Sequence, residues 1–257
     1  MEQAAGKLVG RVEKKTYSGV VLEREFMTIR PKVMGKKSAE VTLRFPSAAD
    51  RAEHRRRMSE RNFIRLVNEN FTPASYKVTL TFDRENEVYE YEDCFRLVSN
   101  YIKRLKNKYP HLRIVYTAGR GKSTKRIHVH MITDGVPEHA ITSKWIYGKV
   151  VEVEHLRPHN FYDGVDCGAD YTALAEYMFA HWEPEQGTHR YRRSGKMRKV
   201  KADGYYPCRR TYTEEHPPKA PKGYKLVGYH QTKYGYQCFK YVIDRDLAAD
   251  RKEKRKC

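Results

Sequence analysis

The sequence predicts an α+β fold in which helices pack on one face of an antiparallel sheet. Three observations predict it. Segments that alternate apolar and polar residues are interleaved with segments of helical periodicity between residues 76 and 183. Two alternating segments are joined by a short basic turn containing Gly at 119–125, which predicts a β-hairpin and therefore an antiparallel pair. The chain has 257 residues, 39% of them hydrophobic, which is enough to bury a core.

The central elements follow from their apolar patterns. The strand at 76–82 alternates cleanly, so Val78 and Leu80 share one face. The helix at 91–109 carries apolar residues at helical spacing, and Pro110 ends it. The later elements are predicted in the same way: strands at 113–118, 126–132 and 149–156, a short helix or turn at 137–147, and a helix at 168–183.

The flanking segments divide the chain into three predicted parts. Residues 1–72 hold short strands and a basic helix at 47–71, for which Ser47 is the expected N-cap. We expect this helix to lie on a surface, either as a solvated face or in contact with phosphate. Residues 73–186 form the central α+β part. Residues 187–257 hold a basic linker and a C-terminal β-rich extension.

The charge balance indicates a polyanionic partner. Lys and Arg number 51 against 32 Asp and Glu, so the formal net charge is +19. The 20 Tyr suit stacking on unpaired bases. No apolar run is long enough for a membrane span, and the N-terminus lacks an apolar signal core. The five Cys form no CxxC pair. We therefore expect a cytoplasmic protein with a nucleic-acid partner and no membrane partner.

The segment His128-Val129-His130 is the sharpest functional feature. Residues two apart on a strand face the same side, so both imidazoles project from one face. Such a pair makes half of a metal site. The chain holds 11 His, so a His-x-His pattern also arises by chance.

Two further pairs of side chains are candidates for chemistry. Tyr177 and His181 lie four residues apart on the predicted helix and share a face, as a nucleophile and a third metal ligand. The alternative is a packing Tyr with a His that interacts with the helix dipole. Thr79 and Thr81 share a strand face from which their hydroxyls would contact phosphate or a metal-bound water. Cross-strand Thr packing is the alternative there.

The order of these features, a TLTF strand, a His–Val–His strand and a tyrosine helix, resembles that of the HUH endonucleases. More closely, the chain resembles rolling-circle replication-associated proteins of bacterial plasmids, phages and integrated elements. The Asn70-Phe71 pair before the TLTF strand and the segment CRRTYTEEHPP at 208–218 support the closer match. The resemblance implies a ferredoxin- or RRM-like nuclease core at 73–186 in a bacterial cytoplasmic protein.

The resemblance implies a metal-dependent DNA nickase and strand transferase that is specific for single strands. His128, His130 and His181 would hold Mg²⁺ or Mn²⁺. Tyr177 would attack phosphorus and leave a 5′-phosphotyrosine and a free 3′-hydroxyl. The implied partners are single-stranded DNA at a replication origin and the host helicase and polymerase. Further DNA contacts are expected from Thr79, Thr81, Arg120, Lys122, Lys125 and Arg126.

Two departures from the family pattern concern the site. Many relatives carry a Glu as third metal ligand near the end of the strand before the His strand, where this chain has Thr-Ala-Gly at 117–119. We assign His181 to that role, with Glu152 and Glu154 as runners-up. Plasmid initiators often carry a Lys three residues after the Tyr, and here that position is Ala180.

Other functions fit the same residues. A relaxase or a single-tyrosine transposase of a mobile element uses the same chemistry on other DNA. A non-enzymatic basic nucleic-acid-binding protein with a degenerate HUH site would account for the charge and the missing Glu. His155, His159 and Cys167 hint at zinc, but Pro158 disfavours a helix between them. No Walker-type phosphate loop occurs, so the sequence does not support an ATPase.

Overall fold

The computed structural model describes residues 10–29, 47–121, 126–162, 164–181, 191–232 and 235–244. The described residues form an α+β structure with antiparallel sheets, as predicted. The chain divides into two compact units. The central unit comprises Met58–Asn160 and Ala169–Lys199, and the terminal unit comprises Met1–Arg57, Phe161–Gly168 and Val200–Cys257. No helix among the described residues has the length and apolar character to cross a membrane.

All the elements predicted between residues 76 and 183 occur, with their ends shifted by a few residues. In chain order the described elements are β1 (Gly10–Ser18), β2 (Val21–Ile29), α1 (Ala48–Asn70), β3 (Tyr76–Thr81), α2 (Tyr91–Lys108), β4 (Arg113–Arg120), β5 (Ile127–Asp134), α3 (Glu138–Ser143), β6 (Val150–His155), β7 (Phe161–Tyr162), β8 (Val165–Asp166), α4 (Thr172–Ala180), β9 (Arg192–Ser194), β10 (Lys201–Ala202), β11 (Tyr206–Pro207), β12 (Tyr224–Gln231) and β13 (Gln237–Ile243).

The central unit contains a five-stranded sheet of order β6-β3-β5-β4-β9, in which every pair of neighbours is antiparallel. One face of this sheet buries aliphatic side chains such as Val78, Leu80 and Val129 against α2 and α3. The Tyr101 hydroxyl donates a hydrogen bond to the Ile141 carbonyl at 2.9 Å and so joins α2 to α3. This is the helix-covered face that the apolar patterns predicted.

The opposite face of the sheet is partly covered by α4 and the second half of α1. Val115 and Ile132 pack there in a cluster with the buried rings of Phe63 and Phe179. Helices therefore lie on both faces, whereas the prediction placed them on one. The apolar residues of α1 are concentrated near its C-terminus, so the average pattern of the helix indicated only a surface. Even Arg65 is buried in that half.

The basic segment at 187–201, predicted as a linker, holds the short strand β9. This strand pairs with β4, and the Tyr191 ring packs on Phe63 with 4.7 Å between centroids. Gly195 follows with a φ of +93°, and a Cβ there would overlap the Leu112 carbonyl. The strand was missed because an edge strand is held by backbone hydrogen bonds and needs few apolar side chains. The first four residues of the segment lie outside the described part of the chain.

Helix α4 is shorter than the helix predicted at 168–183. Gly168 has a φ of +65°, and the helix begins only after Tyr171, its N-cap. The Asp170 carboxylate accepts hydrogen bonds from the backbone N–H and the hydroxyl of Thr172 at 2.9 and 2.6 Å. This side chain stabilises a turn in place of a further helical turn. The last two residues of the predicted helix lie outside the described residues.

The terminal unit contains a sheet of order β10-β1-β2-β13-β12, with β11 also paired to β1. The buried side chains of Leu22, Phe26, Phe239 and Tyr241 form one of its apolar clusters. Because β2 pairs with β13, the N-terminal and C-terminal β-rich segments contribute to one sheet. The sequence patterns divided the chain into three consecutive parts, whereas these two units interleave along it.

Candidate active site

The His pair lies on β5 in the face of the sheet that α2 does not cover. His128 and His130 project to the same side as predicted, with 4.8 Å between their ring centroids. Ile127 and Val129, on the other side, belong to the core cluster under α2. The cross-strand neighbours of the pair are Thr79 and Thr81 on β3, and Thr117 and Gly119 on β4.

Helix α4 brings Tyr177 and His181 to this pair. The two side chains lie one helical turn apart, with 4.0 Å between ring centroids. The His130 ring lies 5.3 Å from Tyr177 and 5.4 Å from His181, and the His128 ring lies 6.5 Å from His181. The Tyr177 side chain is 45% exposed, so its hydroxyl is open to a ligand. The structure therefore gathers the four residues that the sequence singled out for metal and nucleophile.

The second tyrosine of this region lies elsewhere. Tyr171 is 3% exposed, and its hydroxyl has no hydrogen-bond partner among the described residues. Burial raises its pKa to about 12. This hydroxyl is inside the apolar cluster on α4, so Tyr171 is not placed to attack a phosphate.

Gly119 allows the end of α4 to approach β4 closely. A Cβ at this position would lie 2.7 Å from the carbonyl oxygen of His181 and 3.4 Å from its Cβ, so any larger residue would displace the helix. Gly119 occupies one of the positions where the resemblance predicted a carboxylate. His181 thus lies next to the position of the missing Glu. The glycine was the signal of this close approach, and the sequence reasoning noted it only as a departure.

The imidazoles are held neutral by their surroundings. His130 is 7% exposed, and its Nε2 has no hydrogen-bond partner among the described residues. Burial lowers the pKa of His130 to about 4, and the neighbouring His128, His181 and Lys77 contribute to the same shift. Burial also lowers the pKa of His128. Neutral imidazoles present lone pairs, which is the form that binds a metal ion.

Helix geometry orients the ring of His181. Its Nδ1 lies 2.8 Å from the carbonyl oxygen of Tyr177. A carbonyl only accepts, so Nδ1 carries the proton and Nε2 carries the lone pair. Such a second contact of the ring is typical of histidines that ligate metals.

The two runner-up carboxylates are engaged elsewhere on the same face. The Lys77 ammonium lies 3.0 Å from Glu152 and 3.6 Å from Glu154. The Thr79 hydroxyl donates to Glu152 at 3.3 Å, and the Lys77 hydrogen bond is the main cause that lowers the pKa of Glu152. The Thr81 hydroxyl donates to a backbone carbonyl, that of Lys149, at 3.0 Å. In this structure both threonines bond to the protein itself.

The predicted phosphate contacts beside the His strand are not gathered at the imidazoles. The Arg120 guanidinium lies over the Tyr91 ring, 5.0 Å from its centroid, on the face that α2 covers. Arg126 forms an ion pair with Glu87. Lys122 and Lys125 lie outside the described residues.

The donor set was tested for its fit to a divalent ion. No group of three His, Cys, Asp or Glu side chains within the described ranges is arranged to hold a metal as it stands. Imidazoles that share one ion have ring centroids roughly 4.5–5.5 Å apart, by bond lengths. Two of the three spacings fall in this range, and a small rotation of the exposed His181 ring would shorten the third. With the unpartnered Nε2 of His130, these side chains fit a metal that accepts nitrogen ligands.

The fold and the site define the class: an α+β replication protein with a His–hydrophobic–His strand beside a tyrosine helix. Residues 75–182 match the family model of the ORF2-type replication-associated proteins, and through this segment the chain belongs to that family. The match begins one residue before β3 and ends one residue after His181, so it contains the whole site. The predicted resemblance is thereby confirmed. No curated protein and no solved structure matches the chain.

Proposed function

We propose that this protein initiates rolling-circle replication by nicking single-stranded DNA, with Tyr177 as the nucleophile. One observation carries the proposal. The exposed Tyr177 lies 5.3 Å, ring to ring, from the unpartnered buried imidazole of His130, inside the segment that matches a replication-associated family. A replication initiator must bind DNA, and the net charge of +19 suits that partner.

The proposed step is a transfer of a phosphoryl group to tyrosine. The Tyr177 oxygen forms a bond to phosphorus, the bond from phosphorus to the 3′ oxygen breaks, and a 5′-phosphotyrosine remains on the chain. The phenol loses its proton to water at this exposed site, and the leaving 3′ oxygen gains one from water. Free tyrosine has a pKa of about 10 and is a weak nucleophile near neutrality. A divalent ion, when bound, supplies positive charge at the scissile phosphate.

His128, His130 and His181 are the proposed ligands of that ion. An all-imidazole set with both nearby carboxylates engaged by Lys77 disfavours Mg²⁺, which prefers oxygen ligands. We therefore expect Mn²⁺ to support nicking at least about tenfold better than Mg²⁺ at equal concentration. Equal rates with the two ions would argue for oxygen ligands, and Glu152→Gln would then identify them.

The test of the nucleophile is a covalent-adduct assay. The protein is incubated with single-stranded origin DNA and Mn²⁺, and adducts that survive denaturation are separated on a gel. Tyr177→Phe is expected to abolish the adduct. Tyr171→Phe is the matched control, because it removes a buried hydroxyl of the same region that has no hydrogen-bond partner among the described residues. An adduct that persists in Tyr177→Phe would show that another residue attacks.

A non-enzymatic DNA-binding protein is the second candidate, and one observation favours it. The three imidazoles do not form a ready metal-binding group among the described residues. Titration with Mn²⁺ separates the two functions. The nickase predicts that His130→Ala weakens Mn²⁺ binding at least about tenfold. Equally weak binding by the wild type and the variant would favour the DNA-binding protein.

A relaxase or a single-tyrosine transposase would use the same side chains. The match to a replication-associated family favours the replication role. Strand-transfer assays with plasmid-origin, transfer-origin and hairpin-end DNA distinguish the three, because each role requires a different DNA substrate.

A further inference from the structure

A basic groove of about 790 Å³ opens in the central unit beside α2 and β9. Four cations line it, Lys103 and Lys106 from α2, and Arg192 and Arg193 from β9. Among the described residues, no Asp or Glu lines this groove. In the same part of the chain, none of the four forms an ion pair with a carboxylate. The described carboxylates therefore leave the charge of the groove unneutralised.

The cations are held on rigid elements. Lys103 and Lys106 are three residues apart on α2 and so project from one side of the helix. The Arg192 guanidinium lies over the Phe95 ring, 4.1 Å from its centroid, which fixes its position. Cations held close together repel each other, and a polyanion in the groove relieves that repulsion.

Hydroxyl groups and an aromatic ring accompany the charges. Ser59, Ser99 and Ser194 line the groove and supply hydroxyls of the kind that contact phosphate oxygens. The partly exposed Tyr191 ring lines it as well. Charges that follow a backbone next to an aromatic ring are the combination that binds unpaired nucleic acid.

The basic groove is separate from the imidazole site. Its floor includes Tyr116, which lies on the core face of β4 in the cluster under α2. The next residue, Thr117, points to the opposite face, where it pairs with His130. DNA bound in this groove would therefore contact different side chains from those proposed to cut it.

We propose that the basic groove binds the phosphodiester backbone of single-stranded DNA outside the nick site. A volume of about 790 Å³ is of the size of sites that enclose ligands of a few rings, which suits a short stretch of one strand rather than a whole duplex. The proposal rests on the proposed function only in taking DNA as the partner. It needs neither a metal ion nor the Tyr177 hydroxyl.

The test measures binding of the wild-type protein to oligothymidine of about 30 nucleotides in EDTA, over a range of salt concentrations. The double variant Lys103→Gln/Lys106→Gln is expected to bind roughly tenfold more weakly. The slope of log K against log salt should fall by about 1.4, since each phosphate contact with a single strand contributes about 0.7. The matched control is Lys108→Gln/Lys144→Gln, which removes the same charge outside the groove.

Two results would overturn the groove. One is a double variant whose affinity and salt slope equal those of the control pair. The other is an Arg193→Gln variant, changed at an exposed residue of β9, that also binds like the wild type. All the substituted lysines and Arg193 are exposed or half-buried, so folding is expected to be retained, and circular dichroism checks it. Because EDTA prevents metal-dependent chemistry, failure here leaves the adduct assay of Tyr177 unaffected.

Discussion

At the scale of single residues, Gly119 sets how closely the end of α4 approaches β4. The missing Cβ leaves room for the His181 carbonyl, and this contact carries the proposed third ligand to the His pair. The sequence reasoning found His181 from its spacing to Tyr177 alone. It could not find the contact, because cross-element proximity is not visible in one chain. Burial of His130 and the exposure of Tyr177 were also set by neighbours far away in sequence.

Gly119→Ala is predicted to destabilise the protein by about 1–3 kcal/mol and to reduce adduct formation. The new Cβ would stand 2.7 Å from a backbone oxygen of His181, so the helix end must shift. Thermal unfolding and the adduct assay measure the two effects. Gly204→Ala is the control, because a Cβ there meets no atom within 4 Å. A Gly119→Ala protein with unchanged melting temperature and activity would show that the approach is not needed.

The buried imidazole of His130 predicts a pH dependence of stability. Its pKa falls from an ordinary value of 6.5 to about 4 in the folded chain, so the unfolded state binds more protons between these values. The free energy of unfolding is therefore at its full value above about pH 6.5. It declines as the pH falls toward 4, by at most about 3 kcal/mol from this group.

Urea unfolding at both ends of this pH range tests the prediction. His130→Gln should lose about 2–3 kcal/mol less than the wild type on acidification, since its side chain does not titrate. His139→Gln, changed at an exposed imidazole, serves as the control. Parallel losses in the wild type and His130→Gln would show that His130 is not held neutral by the fold.

At the scale of elements, a polar contact between α1 and α4 positions the proposed nucleophile. The Asn68 side chain accepts a hydrogen bond from the Tyr171 N–H at 2.7 Å and donates one to the Thr172 hydroxyl at 3.2 Å. The Asp170 carboxylate completes the group, and all of it is buried. Such a satisfied buried network fixes the start of α4, and therefore the direction in which Tyr177 projects.

Asp170→Ala is predicted to lower the free energy of unfolding by about 1–3 kcal/mol, because buried donors lose their acceptor. Adduct formation should fall as well, although Asp170 does not touch the proposed site, since α4 carries both Tyr177 and His181. Asn107→Ala, at an exposed position of α2, is the control. Full activity in a destabilised Asp170→Ala protein would mean that α4 is positioned by its apolar contacts alone.

The elements themselves were predictable where their side chains show a clear period. The β4–β5 hairpin and the two faces of β5 follow from alternation, and α2 follows from its apolar stripe. The start of α4 did not follow, because Asp170 and Gly168 redirect a segment of helical composition. Strand β9 did not follow either, since the pairing of Arg192–Ser194 with β4 leaves no apolar pattern.

At the scale of the whole molecule, the high positive charge is distributed among different roles. Two of the predicted phosphate-binding residues, Arg120 and Arg126, contact Tyr91 and Glu87 instead. The cations of the basic groove come from α2 and β9, which composition alone did not single out for phosphate. Likewise, the joining of β2 and β13 in one sheet depends on a pairing between distant strands. Charge predicts the class of partner, and only the fold shows which side chains gather.

The most direct test of the central claim is to locate the covalent bond to DNA. The adduct formed with single-stranded origin DNA and Mn²⁺ is digested with nuclease and protease, and the modified peptide is sequenced by mass spectrometry. The account predicts a phosphonucleotide on Tyr177, in the peptide that contains TALAEYMFA of α4. A phosphonucleotide on any other residue, or no covalent adduct under any divalent metal, would contradict it.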